Sequence, residues 1–212
     1  THEFYTLSLH DALPIYPAGR PQARFTQVVH WVEAGHATAR DTQPFALLIE
    51  ERTITITTDP ATEQILLEWE ADFTVGAGTP EAVLTGSSYH GLGVRFRAEF
   101  DGAAERYNSE KLAYPDEGRE GVLPARWMAV SHVVAGRPYT IALFNHPSNP
   151  GQARFFSMQK PFAYLSATQG LDEAPLKYRT GDRWKLRYLL LASPRRPAAE
   201  QLDRQYDLFI QP

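Results

Sequence analysis

The sequence predicts an all-β fold: a large antiparallel β-sandwich, with the supersandwich as its larger variant, closed by one C-terminal helix. Three observations carry this. Apolar and polar residues alternate with a period of two through several runs separated by turn residues. A single stretch, near the C-terminus, has helical spacing. No linker or internal repeat divides the 212 residues, a length that suits one core.

Taken in order, the chain begins with an anomaly. The run 6–15, TLSLHDALPI, equals the translation of a common short-read sequencing adapter. Residues 1–15 are therefore expected to be an artefact rather than native protein. Residues 16–212 then form one β-sandwich domain, incomplete at its N-terminus. Without Glu3 and Asp11 the net charge moves from −4 to −2, and His2 and His10 drop out as site candidates.

The first native strand is 24–31 (RFTQVVHW). The run 45–57 starts as the apolar FALLI and then alternates, Ile54 and Ile56 against Thr53, Thr55 and Thr57, before an Asp59-Pro60 turn. In 64–73, Ile65, Leu67, Trp69, Ala71 and Phe73 share one face and Glu68, Glu70 and Asp72 the other. These two runs read as a hairpin with one wet side. The run 91–100 alternates again, with Leu92, Val94, Phe96, Ala98 and Phe100 opposite Arg95, Arg97 and Glu99. A polar segment follows over 103–124, long enough to be a functional loop. Strands are expected at 126–134 and 139–144, joined by a hairpin connection at 135–138, then at 155–166 and 184–192. The helix is 198–209, with Leu202, Tyr206 and Phe209 on one side. The apolar faces are periodic, so Trp69 and Trp184 read as packing rather than as sugar platforms.

Composition excludes several classes. The net charge is −4 and the Lys and Arg residues are scattered, which argues against a nucleic-acid partner. No apolar run approaches the roughly 20 residues of a spanning helix. There is no cysteine, hence no disulfide, thiolate metal site or cysteine nucleophile.

The candidate site is organised around 139–150, YTIALFNHPSNP, an apolar strand running into a polar turn stiffened by two prolines. His146 is the candidate acid, base or ligand there, with Glu110 as the second catalytic group, paired with Asp116 or Glu117. Arg95, Asn108, Arg126, Asn145 and Asn149 are the candidate binders of ligand hydroxyls. A structural reading stands level with this one: the imidazole bonds the turn backbone while Asn145 and Asn149 cap it. His132 reads as a core or edge residue, and His30 and His36 flank a strand end and are weaker candidates. His90 precedes Gly91-Leu92-Gly93, where a second backbone or a ligand can come close. No HExxH, HxH, GxSxG or GxGxxG occurs. The metal is thus unknown, a divalent cation stays open, and haem, flavin and nucleotide signatures are absent.

Six segments in one order, YHGLGVRF at 89–96, YNSEK at 107–111, ARW at 125–127, IALFNHPSNP at 141–150, KPFAYLS at 160–166 and GDRWKLRYLLL at 181–191, resemble the DUF6807 family, often labelled "methane oxygenase PmoA". The resemblance covers about 24–192. It implies a β-sandwich protein of polysaccharide-degrading bacteria, periplasmic or secreted. The implied function is carbohydrate-active, a hydrolase or lyase on glycosides, with a non-catalytic sugar-binding or structural β-sandwich as the alternative and a saccharide as the partner. A methane oxygenase role is disfavoured, because a membrane monooxygenase subunit needs several spanning helices. The family also has an upstream motif of the DHPHHRG kind that this sequence lacks. His146, Arg95 and Asn108 would then be one part of a larger site.

Overall fold

The structure, a computed structural model, describes residues 8–14, 22–32, 46–87, 89–114, 121–171 and 173–211, the first of these segments by its backbone alone. His36 and the carboxylates Asp116 and Glu117 lie outside the described residues, as do 1–7 of the adapter-like segment. The strands are β1 (Ser8–Pro14), β2 (Gln22–Val32), β3 (Ala46–Asp59), β4 (Gln64–Val75), β5 (Glu81–Leu84), β6 (Leu92–Arg95) and β7 (Glu105–Asn108). They continue as β8 (Gly121–Pro124), β9 (Trp127–Val134), β10 (Arg137–Asn145), β11 (Arg154–Met158), β12 (Tyr164–Ala167), β13 (Leu176–Arg179) and β14 (Arg183–Ser193). One helix, α1 (Ala199–Phe209), follows.

Among the described residues every strand pair is antiparallel. The large sheet has the order β1-β2-β3-β4-β14-β10-β9-β7, the second sheet β6-β12-β11-β8, and β13 pairs with β5 apart from both. The long alternating runs became the long strands, because a period of two puts a whole apolar set on one face. Three expectations change. The run 155–166 is not one strand but the antiparallel pair β11 and β12, because the chain turns back between Met158 and Tyr164. The segment 103–124 holds β7 and β8, four residues each, rather than one loop. The run 91–100 is strand only to Arg95, because its partner β12 begins at Tyr164, opposite Arg95. Beyond it Ala98–Phe100 form a 3-10 turn that still buries Phe100.

The large sheet has apolar packing on both faces. One face meets the second sheet through Met128, Val130, Leu143, Leu186 and Tyr188 against Phe155, Leu165 and Phe100. The other meets α1, where Leu202, Tyr206 and Phe209 cover Trp127, Ala129, Ala142, Phe144, Leu189 and Leu191. Their i, i+4, i+7 spacing gives α1 one apolar side, and each fully buried large side chain contributes about 1.5–3 kcal/mol. Gln201 Oε1 accepts from the Ala198 N–H at 2.8 Å and closes the first turn of the helix. No helix among the described residues is long and apolar enough to cross a membrane.

Candidate functional site

The loop 145–150 leaves the large sheet where β10 stops beside the middle of β14. Asn145 is the last residue of β10 and pairs with Tyr188. Beyond it the His146 N–H still donates to the Arg187 carbonyl at 3.2 Å, but the Arg187 N–H would lack a ladder partner. Asn149 supplies one with its side chain: Oδ1 accepts from the Arg187 N–H at 2.7 Å and Nδ2 donates to the Arg187 carbonyl at 2.9 Å. Nδ2 also donates to Asn145 Oδ1 at 3.0 Å, and Asn145 Nδ2 donates to the His146 carbonyl. Both asparagines are buried.

His146 is buried too, on the helix side. Its ring stands edge-on to Phe209 at 5.3 Å. Nδ1 lies 2.7 Å from Ser148 Oγ, and Nε2 lies 3.1 Å from Arg187 Nη1. The Ser148 N–H donates to Nδ1 at 3.1 Å and Arg187 can only donate, so both ring nitrogens face N–H donors. Burial, and then the Arg187 cation, hold the imidazole below its ordinary pKa and keep it neutral. Glu70 completes the row through an ion pair with Arg187 at 2.7 Å. In this arrangement a guanidinium stands against Nε2 and the Ser148 N–H against Nδ1.

Three more predicted residues gather near this loop. Asn108 is buried, its Oδ1 accepting from the Glu110 and Leu112 N–H groups and its Nδ2 donating to the Leu112 carbonyl. Arg126 sits across from them: its N–H donates to Ser109 Oγ, and its carbonyl accepts from the Asn145 N–H. The Arg126 guanidinium is half exposed, lies over Tyr206, pairs with Asp203 at 3.0 Å and stands 3.8 Å from Glu110. Asn108, Glu110, Arg126, Asn145, His146 and Asn149 therefore share one end of the large sheet. Arg95 does not join them. It is exposed on β6 in the second sheet, stacked over Phe162 at 4.1 Å.

The glycines around Leu92 serve the neighbouring strand. A Cβ on Gly91 would stand 1.8 Å from the Ala167 carbonyl oxygen, and one on Gly93 would stand 2.0 Å from Tyr164 Oη. His90 Nδ1 accepts from the Ser87 N–H. A cavity of about 370 Å³ opens on the helix-side face between Glu51, Asp72, Thr74, Arg183 and Lys185, and no predicted site residue lines it. Among the described residues no group of three His, Cys, Asp or Glu side chains is placed to hold a metal ion.

A second polar group was not expected. On the face of the large sheet opposite α1, Glu50 is fully buried. Its Oε1 accepts from Arg52 Nε at 2.6 Å and its Oε2 from Trp31 Nε1 at 3.0 Å. Arg52 lies over the half-buried Trp69 ring at 5.5 Å, and Trp69 in turn meets Tyr188 at 5.7 Å. Gln27 is directly across from Arg52 in the β2–β3 register. The sequence held a signal for this group: Glu50 and Arg52 occupy the same strand face as Ile54 and Ile56, and a charged pair on an apolar face requires a partner. Trp184, by contrast, is packing, sandwiched between Tyr178 at 3.8 Å and Phe73 at 5.0 Å.

The profile of a family of unknown function, DUF6807, matches residues 8–207. The chain belongs to DUF6807. No curated protein matches this DUF6807 chain. Among solved structures it is similar to a GH36 α-galactosidase of Geobacillus stearothermophilus crystallised in complex with raffinose, at 10% identity and a TM-score of 0.32. That similarity covers 91% of this chain, which spans only 27% of the enzyme's chain.

Proposed function

We propose that this DUF6807 chain binds saccharides, on the sheet face that carries Trp31, Glu50, Arg52 and Trp69. The observation that supports the reading is the buried Glu50 carboxylate, which fixes an indole N–H and a guanidinium between two half-buried tryptophans. Sugar recognition calls for that combination: an aromatic surface for the ring C–H groups and a few rigid polar groups for the hydroxyls. An ion pair whose carboxylate is wholly desolvated is costly to assemble, and a site whose fork must not move is one setting in which such a cost is retained.

Calorimetric titration of the full chain with neutral and acidic oligosaccharides tests this. Wild type is expected to show saturable heat, and Trp69→Ala to weaken binding by about tenfold, with a melting curve checking that the variant is folded. Saturable binding unchanged in a folded Trp69→Ala variant, or no heat with any oligosaccharide, would overturn the reading.

A second reading, hydrolysis or lysis of glycosides, is favoured by the half-exposed Arg126 flanked by the carboxylates of Glu110 and Asp203 beside the His146 loop. Incubation with oligosaccharides and 3-keto-glycosides, with and without a divalent cation, separates the two: product formation abolished by Glu110→Gln supports catalysis, and saturable binding without turnover supports the first.

A further inference from the structure

We infer that the ligand is an acidic saccharide, its uronate carboxylate held by the outer edge of the Arg52 guanidinium. The inference rests on the saccharide-binding reading above and specifies what that site selects.

It starts from how the Arg52 donors are spent. Nε is committed to Glu50 Oε1 at 2.6 Å, and the Arg52 side chain keeps 26% exposure against 0% for Glu50. The exposed part of the fork is therefore not the edge turned toward Glu50. Among the described residues neither Nη group has a partner. Guanidinium is planar, so one bond at Nε together with the Trp69 ring beneath it fixes where the two Nη groups point. Two coplanar N–H donors at fixed spacing match a carboxylate in the bidentate arrangement, which is both shorter and stronger than a bond to a neutral hydroxyl.

The surroundings suit an anion. Strand alternation sends Glu51, Glu68, Glu70 and Asp72 to the opposite, helix-side face, so the one carboxylate near Arg52 on its own face within β3 and β4 is the Glu50 already paired with it. The next polar side chain is Gln27, directly opposite in the register and without a side-chain hydrogen bond among the described residues. Cross-strand neighbours stand about 5 Å apart at Cβ, so its amide can serve a second oxygen of the same sugar.

The test uses the full chain and two probes that differ only in charge, a galacturonate trimer and its methyl ester, titrated calorimetrically at low and high salt. The acid is expected to bind about tenfold tighter than the ester at low salt, and the difference to shrink in high salt. Arg52→Lys, which keeps the charge and loses the fork, is expected to reduce the ratio to within about threefold. Gln27→Ala, which leaves the Glu50–Arg52 pair whole, is expected to weaken both probes. It keeps the inference testable if Arg52→Lys fails to fold. Equal affinity for acid and ester would overturn the acidic ligand and leave saccharide binding standing. A preference that survives in folded Arg52→Lys would overturn Arg52 as its source. No binding of either probe would overturn both this inference and the reading it rests on.

Discussion

His146 bonds its own loop through Ser148, reaches β14 through Arg187 and packs on α1 through Phe209. Removing the ring in His146→Ala leaves the Arg187 Nη1 without its acceptor, and a loss of about 1–3 kcal/mol of unfolding free energy is expected in urea at pH 7.5. The pH dependence carries a sign. The folded imidazole has a pKa below 6.5, and the unfolded one titrates near 6.5. Between those values the unfolded chain binds the extra proton, so this contribution is fully present above pH 6.5 and declines as pH falls toward the folded pKa. Urea midpoints for wild type should drop on acidification through that window, and the His146→Ala variant should lack that component. Parallel profiles for the two proteins would show that the ring titrates alike folded and unfolded. The tight turn around this histidine was legible in the sequence from its prolines and asparagines. Arg187 was not, because nothing in local spacing says that a residue 41 positions on will occupy Nε2.

At the scale of elements, α1 is anchored by more than its apolar stripe. Asp203 Oδ1 accepts from the Trp127 indole N–H at 2.9 Å and from Arg126 Nη2 at 3.0 Å. Trp127 is fully buried, so Asp203→Ala would strand an indole donor away from water. A cost of about 1–3 kcal/mol is expected for that donor. Asp203→Asn, which keeps an acceptor for the indole, should recover most of it in thermal melts. If the two variants melt alike, the indole bond contributes nothing and the exposed Arg126 contact is the whole effect. The helix was readable from Leu202, Tyr206 and Phe209, and the long strands from their alternation. The four-residue strands β5, β7, β8 and β13 were not: two alternations do not stand out from a polar loop. The Glu50–Arg52 pair was obscured differently, because the start of β3 reads as a plain apolar run until the pleat is carried through to Ile56.

Over the whole molecule, alternation tells which face a residue takes but not which strand lies beside it. β4 and β14 pair from Ile65↔Ala192 to Thr74↔Arg183, a closure that no local pattern announces. That closure makes one sheet the floor of two cores. Leu143 and Phe144 are consecutive and fully buried, yet Leu143 packs toward the second sheet and Phe144 toward α1. Leu143→Ala should cost about 2–5 kcal/mol and Phe144→Ala about 3–5 kcal/mol, each leaving a cavity that a paired sheet cannot collapse into. Because β9, β10 and β14 belong to both cores, each substitution is expected to lower a single transition, seen together in the far-ultraviolet signal of the strands and helix and in the near-ultraviolet signal of the tryptophans. Were Phe144→Ala to release the helix at a lower temperature while the near-ultraviolet transition stayed in place, the two cores would be separate folding units and the sheet would not be coupling them.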